Sequence, residues 1–93
     1  MEIESIRHKG LKRLATKGDT RVMEAQRLTD MLAFIAAADT IEDLQTPPNF
    51  GFHALKGDRK GTVAMTVTKN WRLTFSVSND IVFDLDLEDY HGD

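Results

Sequence analysis

The apolar residues of this chain change their spacing once, at Pro47-Pro48, and that change bounds the fold. Before the prolines they recur every three or four residues; after Phe50 they recur every second residue. Two consecutive prolines fix their own φ angles and donate no backbone N–H, so no helix runs through them. Helices therefore precede most of the sheet, which predicts an α+β chain rather than an alternating α/β one.

The helical half divides in two. Leu11, Leu14 and Ala15 stand at helical spacing, with Gly18 placed as a C-terminal stop. Asp19 or Thr20 is the expected cap of a second helix carrying Val22, Met23, Leu28, Met31, Leu32, Ile35 and Ala36. Asp39 or Thr40 opens one further turn before the prolines, in which Thr40 and Asp43 stand at capping-box spacing. Ahead of the helices, Met1 to Ile6 alternates weakly, as a short strand does.

The strand half begins with a short run near Phe52 to Leu55 and a loop from Gly57 to Gly61. Three longer strands follow. Val63, Met65 and Val67 alternate with Ala64, Thr66 and Thr68; Trp71, Leu73, Phe75 and Val77 with Arg72, Thr74 and Ser76. In the last strand, Ile81, Phe83, Leu85 and Leu87 alternate with Val82, Asp84, Asp86 and Glu88. Lys69-Asn70 and Asn79-Asp80 are short enough for hairpins, so these strands are expected to be antiparallel neighbours. The expected architecture has two N-terminal helices on the apolar face of a mainly antiparallel sheet, with the polar face open to a ligand.

Ninety-three residues are too few to share their apolar side chains between two cores, so residues 1–93 are expected to form a single domain. No apolar run is long enough to span a membrane, and MEIESIRHKG has none of the features of a signal peptide, so the expectation is a cytoplasmic protein. The absence of cysteine excludes disulfides, thiolate nucleophiles and Cys-based zinc sites.

A net charge of −3 argues at first against a phosphate-rich partner, but the charge is segregated. Residues 7 to 27 hold seven Lys/Arg against two acids, and residues 50 to 75 hold five against one, while the last eighteen residues hold six acids and no Lys or Arg. Two basic blocks suit a phosphate-binding surface, and equally a pair of solvated faces.

On the polar sheet face Arg72 stands with Thr66, Thr74 and Ser76, beside Asp84 and Asp86 of the next strand. Cross-strand parity alone reads as an ordinary surface ion pair. The alternative is a phosphate grip, for which a planar, permanently charged guanidinium is suited. His53 and His91 can act as acid or base near neutral pH, and Glu88, Asp89, Tyr90 and His91 close the chain in a titratable cluster. Lys56, Arg59 and Lys60 lie on the glycine-bounded loop, which lacks the spacing of a nucleotide-binding P-loop. No histidine and carboxylate spacing matches a metal site, so neither metal nor cofactor is expected.

Four segments together resemble one family. They are Glu4-Ser5-Ile6-Arg7-His8-Lys9-Gly10-Leu11, the loop His53-Ala54-Leu55-Lys56-Gly57-Asp58-Arg59-Lys60-Gly61, Asn70-Trp71-Arg72-Leu73-Thr74-Phe75, and Asp84-Leu85-Asp86-Leu87-Glu88-Asp89-Tyr90-His91. In this order, from Glu4 to His91, they resemble the HigB-type plasmid-maintenance killer proteins of the RelE-like superfamily. The resemblance implies a microbial RNase fold and a metal-independent endoribonuclease that cleaves mRNA in the ribosomal A site. It implies that His91 and Asp89 handle protons, that His53 assists or orients, and that Tyr90 packs or stacks on the target nucleotide. Lys56 and Arg72 would stabilise phosphate charge, with Arg59 and Lys60 as further RNA contacts. The implied partners are the ribosome with its mRNA and a HigA-type helix-turn-helix antitoxin, through which alone the toxin would reach operator DNA. The competing expectation is a non-catalytic module that keeps the fold and antitoxin binding; a requirement for His91 separates the two.

Overall fold

A computed structural model describes residues 1–90. Strands β1 (Glu2–Ile3), β2 (His53–Ala54), β3 (Thr62–Thr66), β4 (Trp71–Ser78) and β5 (Ile81–Asp89) form one sheet, and helices α1 (Lys9–Lys17) and α2 (Ala25–Ala37) lie between β1 and β2 in the chain. The strand order is β1-β5-β4-β3-β2. Only β1 runs parallel to its neighbour; the other pairs are antiparallel. Among the described residues no helix is long and apolar enough to cross a membrane.

Helix α1 begins where His8 Nδ1 accepts the backbone N–H of Leu11 at 3.1 Å, so this histidine is the N-cap. It ends at Gly18, whose φ of 68° is the left-handed conformation that glycine adopts without steric cost. Helix α2 starts later than its apolar spacing predicts, because Asp19 does not cap it. The Asp19 carboxylate instead accepts the Arg21 N–H at 3.1 Å and grips the Arg21 guanidinium at 2.6 Å, turning the chain before Ala25. The turn at Thr40 is capped as expected: Asp43 accepts the Thr40 N–H at 3.2 Å, and Leu44 is buried on the 3-10 turn Ile41–Gln45.

Both helices lay their apolar stripes on one sheet face. Leu11, Leu28, Met31 and Ile35 are fully buried there against Met65, Leu73, Phe75 and Leu85. Strand β4 is central, pairing Met65 with Leu73 on one side and Leu73 with Leu87 on the other. Asn79 and Asp80, with φ of 52° and 59°, form the tight hairpin expected between β4 and β5. The β3–β4 connection is longer than the expected Lys69-Asn70 turn, and buried Val67 belongs to it rather than to the strand.

The expected alternation of β5 fails at one residue. Thr74 pairs with Asp86, but Ser76 pairs with Phe83, so β5 carries one residue more than β4 across this step. That bulge is at Asp84, with φ of 55°. An inserted residue swaps the faces of everything before it. Val82, assigned to the polar set by strict alternation, is fully buried in the core, while Ile81 and Phe83 are half-buried.

Candidate active site

Residues directly opposite one another in a sheet share a face, so the register defines what stands on the side away from the helices. One row crosses His53, Ala64, Thr74 and Asp86; the next crosses Thr66, Arg72 and Glu88. Alternation then places Tyr90, the last described residue, beyond Glu88 on the same face. This face is not bare: Ala64 is 0% and Thr74 2% exposed. From the basic loop, the Arg59 side chain reaches across β3 and β4 to Glu88 on β5.

Glu88 is the hub. Both of its oxygens accept from the Arg59 guanidinium at 2.6 Å, in the bidentate arrangement that fits a planar fork to a carboxylate. The Thr74 hydroxyl donates to Oε2, and an Arg72 terminal nitrogen stands 3.7 Å from Oε1. These contacts, Arg59 first, hold the Glu88 carboxyl well below its usual range, at about 2, against the opposing effect of burial. Glu88 is therefore a fixed anion at any working pH.

Arg72 is the most enclosed cation of the face, its side chain 14% exposed. Its guanidinium carbon lies 4.9 Å from the centre of the Tyr90 ring, and the Tyr90 hydroxyl donates to the Thr68 carbonyl at 3.4 Å. One face of Tyr90 thus carries Arg72, so the ring orients the guanidinium.

His53 stands exposed on the edge strand, with Nδ1 2.9 Å from the Gly51 carbonyl oxygen. A carbonyl only accepts, so Nδ1 of the neutral ring carries the proton and Nε2 keeps its lone pair for an incoming proton. Lys56 and Lys60 flank the 3-10 turn Gly57–Arg59 and are exposed.

The structure brings His53, Arg59, Arg72 and Tyr90 to one face, while Lys56 and Lys60 stand exposed on the loop that carries Arg59. Asp89 departs from the expected set: its partner in the sheet is Trp71, and alternation puts it with Leu87 on the helix-covered side. His91 lies outside the described residues. The two basic blocks do not converge on this face either. Apart from Arg7, which stands 3.6 Å from Asp84, it carries only the second block; Lys9, Lys12, Arg13 and Lys17 line a hollow along α1. Sequence reasoning missed Glu88 as the organiser, because periodicity gives its face but not its register with Arg72 or the reach of Arg59.

Residues 4–91 match the family of RelE-like toxins of type II toxin-antitoxin systems described as HigB-like. A curated protein of Proteus vulgaris named endoribonuclease HigB is 44% identical over 92 residues, covering 96% of this chain and 99% of the relative. The chain belongs to the HigB-like toxin family. As the toxin of a type II system, this HigB-like protein has an antitoxin partner. Its fold is also that of E. coli YafQ, whose crystal structure covers 92% of both chains with a TM-score of 0.59 at 15% identity. A mutant of YafQ gives 0.61 at 16% identity with the same coverage. The α+β RelE-like fold expected from the sequence is the fold observed.

Proposed function

We propose that this HigB-like toxin is a metal-independent endoribonuclease that enters the ribosomal A site and cleaves mRNA there, halting translation. The observation that carries this reading is that one sheet face holds both an enclosed guanidinium, Arg72, and His53, whose Nε2 is left ready to take a proton. The name of the Proteus vulgaris relative supports it.

In the proposed reaction the RNA 2′-oxygen attacks the adjacent phosphorus, a new O2′–P bond forms and the P–O5′ bond breaks. The 2′-hydroxyl proton passes to His53 Nε2, and His91 supplies a proton to the departing 5′-oxygen. Arg72, Lys56 and Arg59 offset the charge that builds on the phosphorane oxygens, a contribution that grows in the transition state and so accelerates the step. Tyr90 holds Arg72, and Lys60 adds charge along the RNA backbone. Asp89, facing the other side, is assigned an orienting role at the strand end that carries Tyr90 and His91.

The antitoxin is proposed to be a HigA-type helix-turn-helix protein that alone brings the complex to operator DNA, with the toxin acting in the cytoplasm. The deciding experiment maps cuts by primer extension on ribosomes carrying a defined mRNA, with His53→Ala, Arg72→Ala and His91→Ala alongside. Ribosome-dependent cuts that all three substitutions sharply reduce are expected. Intact mRNA at high toxin concentration means a non-catalytic antitoxin-binding module instead.

A further inference from the structure

A carboxylate in the middle of a phosphate-binding face is at first sight misplaced, because it repels the substrate's charge. Three observations explain its presence. Glu88 is neither solvated nor loose: its side chain is 22% exposed and is held by two bonds from Arg59 and one from the buried Thr74 hydroxyl. It joins parts of the site distant in sequence, since Arg59 belongs to the basic loop before β3 while Arg72 and Glu88 are paired across β4 and β5. The loop is closed by backbone bonds, the Leu55 N–H donating to the Thr62 carbonyl at 2.9 Å and the Lys60 N–H to the Gly57 carbonyl at 3.1 Å, and these fix its turn but not where the Arg59 guanidinium lies. It is bounded by Gly57 and Gly61, both at positive φ, and the large hydrophobic residues of the core do not come from it. A long side chain on such a loop has many rotamers to choose from, and a cation that must be found among them contributes less to a transition state than one already in place.

We propose that Glu88 is a positioning residue for RNA cleavage. Its carboxylate ties the Arg59 loop down onto the sheet and sets Arg59 beside Arg72, so that two guanidiniums meet one phosphate in a fixed geometry. This rests on the endoribonuclease reading above. Glu88 takes no proton during the reaction and touches no reacting atom. Its charge lowers the net positive potential of the face somewhat, and pre-placed donors are the return. The same bridge carries the edge of the loop with Lys56, and so explains why an acidic residue stands among the site's cations.

The test measures kcat and KM for cleavage of ribosome-bound mRNA by wild type, Glu88→Gln, Arg59→Gln, the double variant and Thr74→Val, with Tm for each. Glu88→Gln keeps the side chain's shape and loses its charge. It is expected to lower kcat about 10- to 100-fold, the scale of a displaced catalytic group, with KM within about threefold of wild type. Because Glu88 acts mainly through Arg59, the loss is expected to shrink in the Arg59→Gln background. The kcat–pH profile keeps its inflections and only drops. Thr74→Val, which removes one anchor and leaves both guanidiniums, gives a smaller loss in the same direction and decides the matter if Glu88→Gln fails to show a melting transition. Equal losses in both Arg59 backgrounds, a vanished acid limb in the pH profile, or Glu88→Gln and Thr74→Val both at wild-type kcat each overturn the proposal. Wild-type protein that leaves ribosome-bound mRNA intact overturns the endoribonuclease reading itself, a different result from active wild type with unaffected variants.

Discussion

At Glu88, pH and stability are linked with a definite sign. Its folded pKa is depressed from 4.5 to about 2, so the ionised form is favoured by folding. The bridge therefore contributes its full stability above about pH 4.5, and that contribution is lost as pH falls toward 2. Thermal unfolding of wild type and Glu88→Gln is expected to show a constant gap in Tm above this window and a closing gap within it; a gap unchanged down to pH 2 contradicts the assignment. Arg72 makes a prediction about activity. Removing one charge-stabilising donor typically costs about 10²–10³ in kcat, and Arg72→Ala is expected to fall in that range with its far-UV spectrum unchanged. Arg72→Lys is expected to recover little, because a point charge reproduces neither the fork nor the packing on Tyr90. His53 is more directly testable: if the 2′-hydroxyl is the nucleophile, a single 2′-deoxy nucleotide at the cut position blocks cleavage, and the natural substrate yields a 5′-hydroxyl end. A cut at the 2′-deoxy position overturns that chemistry.

At the scale of elements, the bulge in β5 decides how the sheet is used. Without it, one strand cannot serve both the core with Val82 and the site with Glu88, since these residues share sequence parity but not a face. Asp84 absorbs the extra residue at φ 55°, with its backbone N–H donating to the Ser5 hydroxyl at 2.8 Å and its carboxylate beside Arg7. A left-handed conformation costs a β-branched residue roughly 1–2 kcal/mol, so Asp84→Val is expected to destabilise by about that much, and Asp84→Gly by less. Urea titration of both variants checks the order; equal midpoints mean that the bulge does not depend on the residue that fills it. The turn before α2 shows the same competition between local and tertiary demands. Asp19 has the chemistry of a helix cap, but Arg21 two residues on offers it a guanidinium and a backbone N–H together.

Across the whole molecule, the two faces of the sheet divide the labour. The helix-covered face holds the fold together, and the other face holds the candidate chemistry. Truncating a fully buried large side chain costs about 2–5 kcal/mol, so Leu73→Ala, at the centre of β4, is expected to lower the denaturation midpoint sharply while kcat at a permissive temperature stays near wild type. A kcat loss as large as that of Arg72→Ala contradicts the division. The acidic total of the chain also takes on a shape at this scale. Asp84, Asp86 and Glu88 line the same hollow as Arg7 and Arg59, so much of the site's positive charge is already met by the protein's own carboxylates.

Periodicity alone determined the order of elements, the helix faces, the hairpin at Asn79-Asp80 and the presence of Arg72 on the polar face, because these depend on neighbours a few residues apart. The four family segments carried the rest of the expectation, from fold to candidate residues. Tertiary structure decided what local patterns do not encode: the register that sets Arg72 against Glu88, the bulge that exchanges Val82 for Phe83, and the reach of Arg59 over two strands. Each of these is a contact between residues 16 or more apart or a shift of one residue in pairing, and such choices are settled by the packing of the whole sheet rather than by the composition of any one strand.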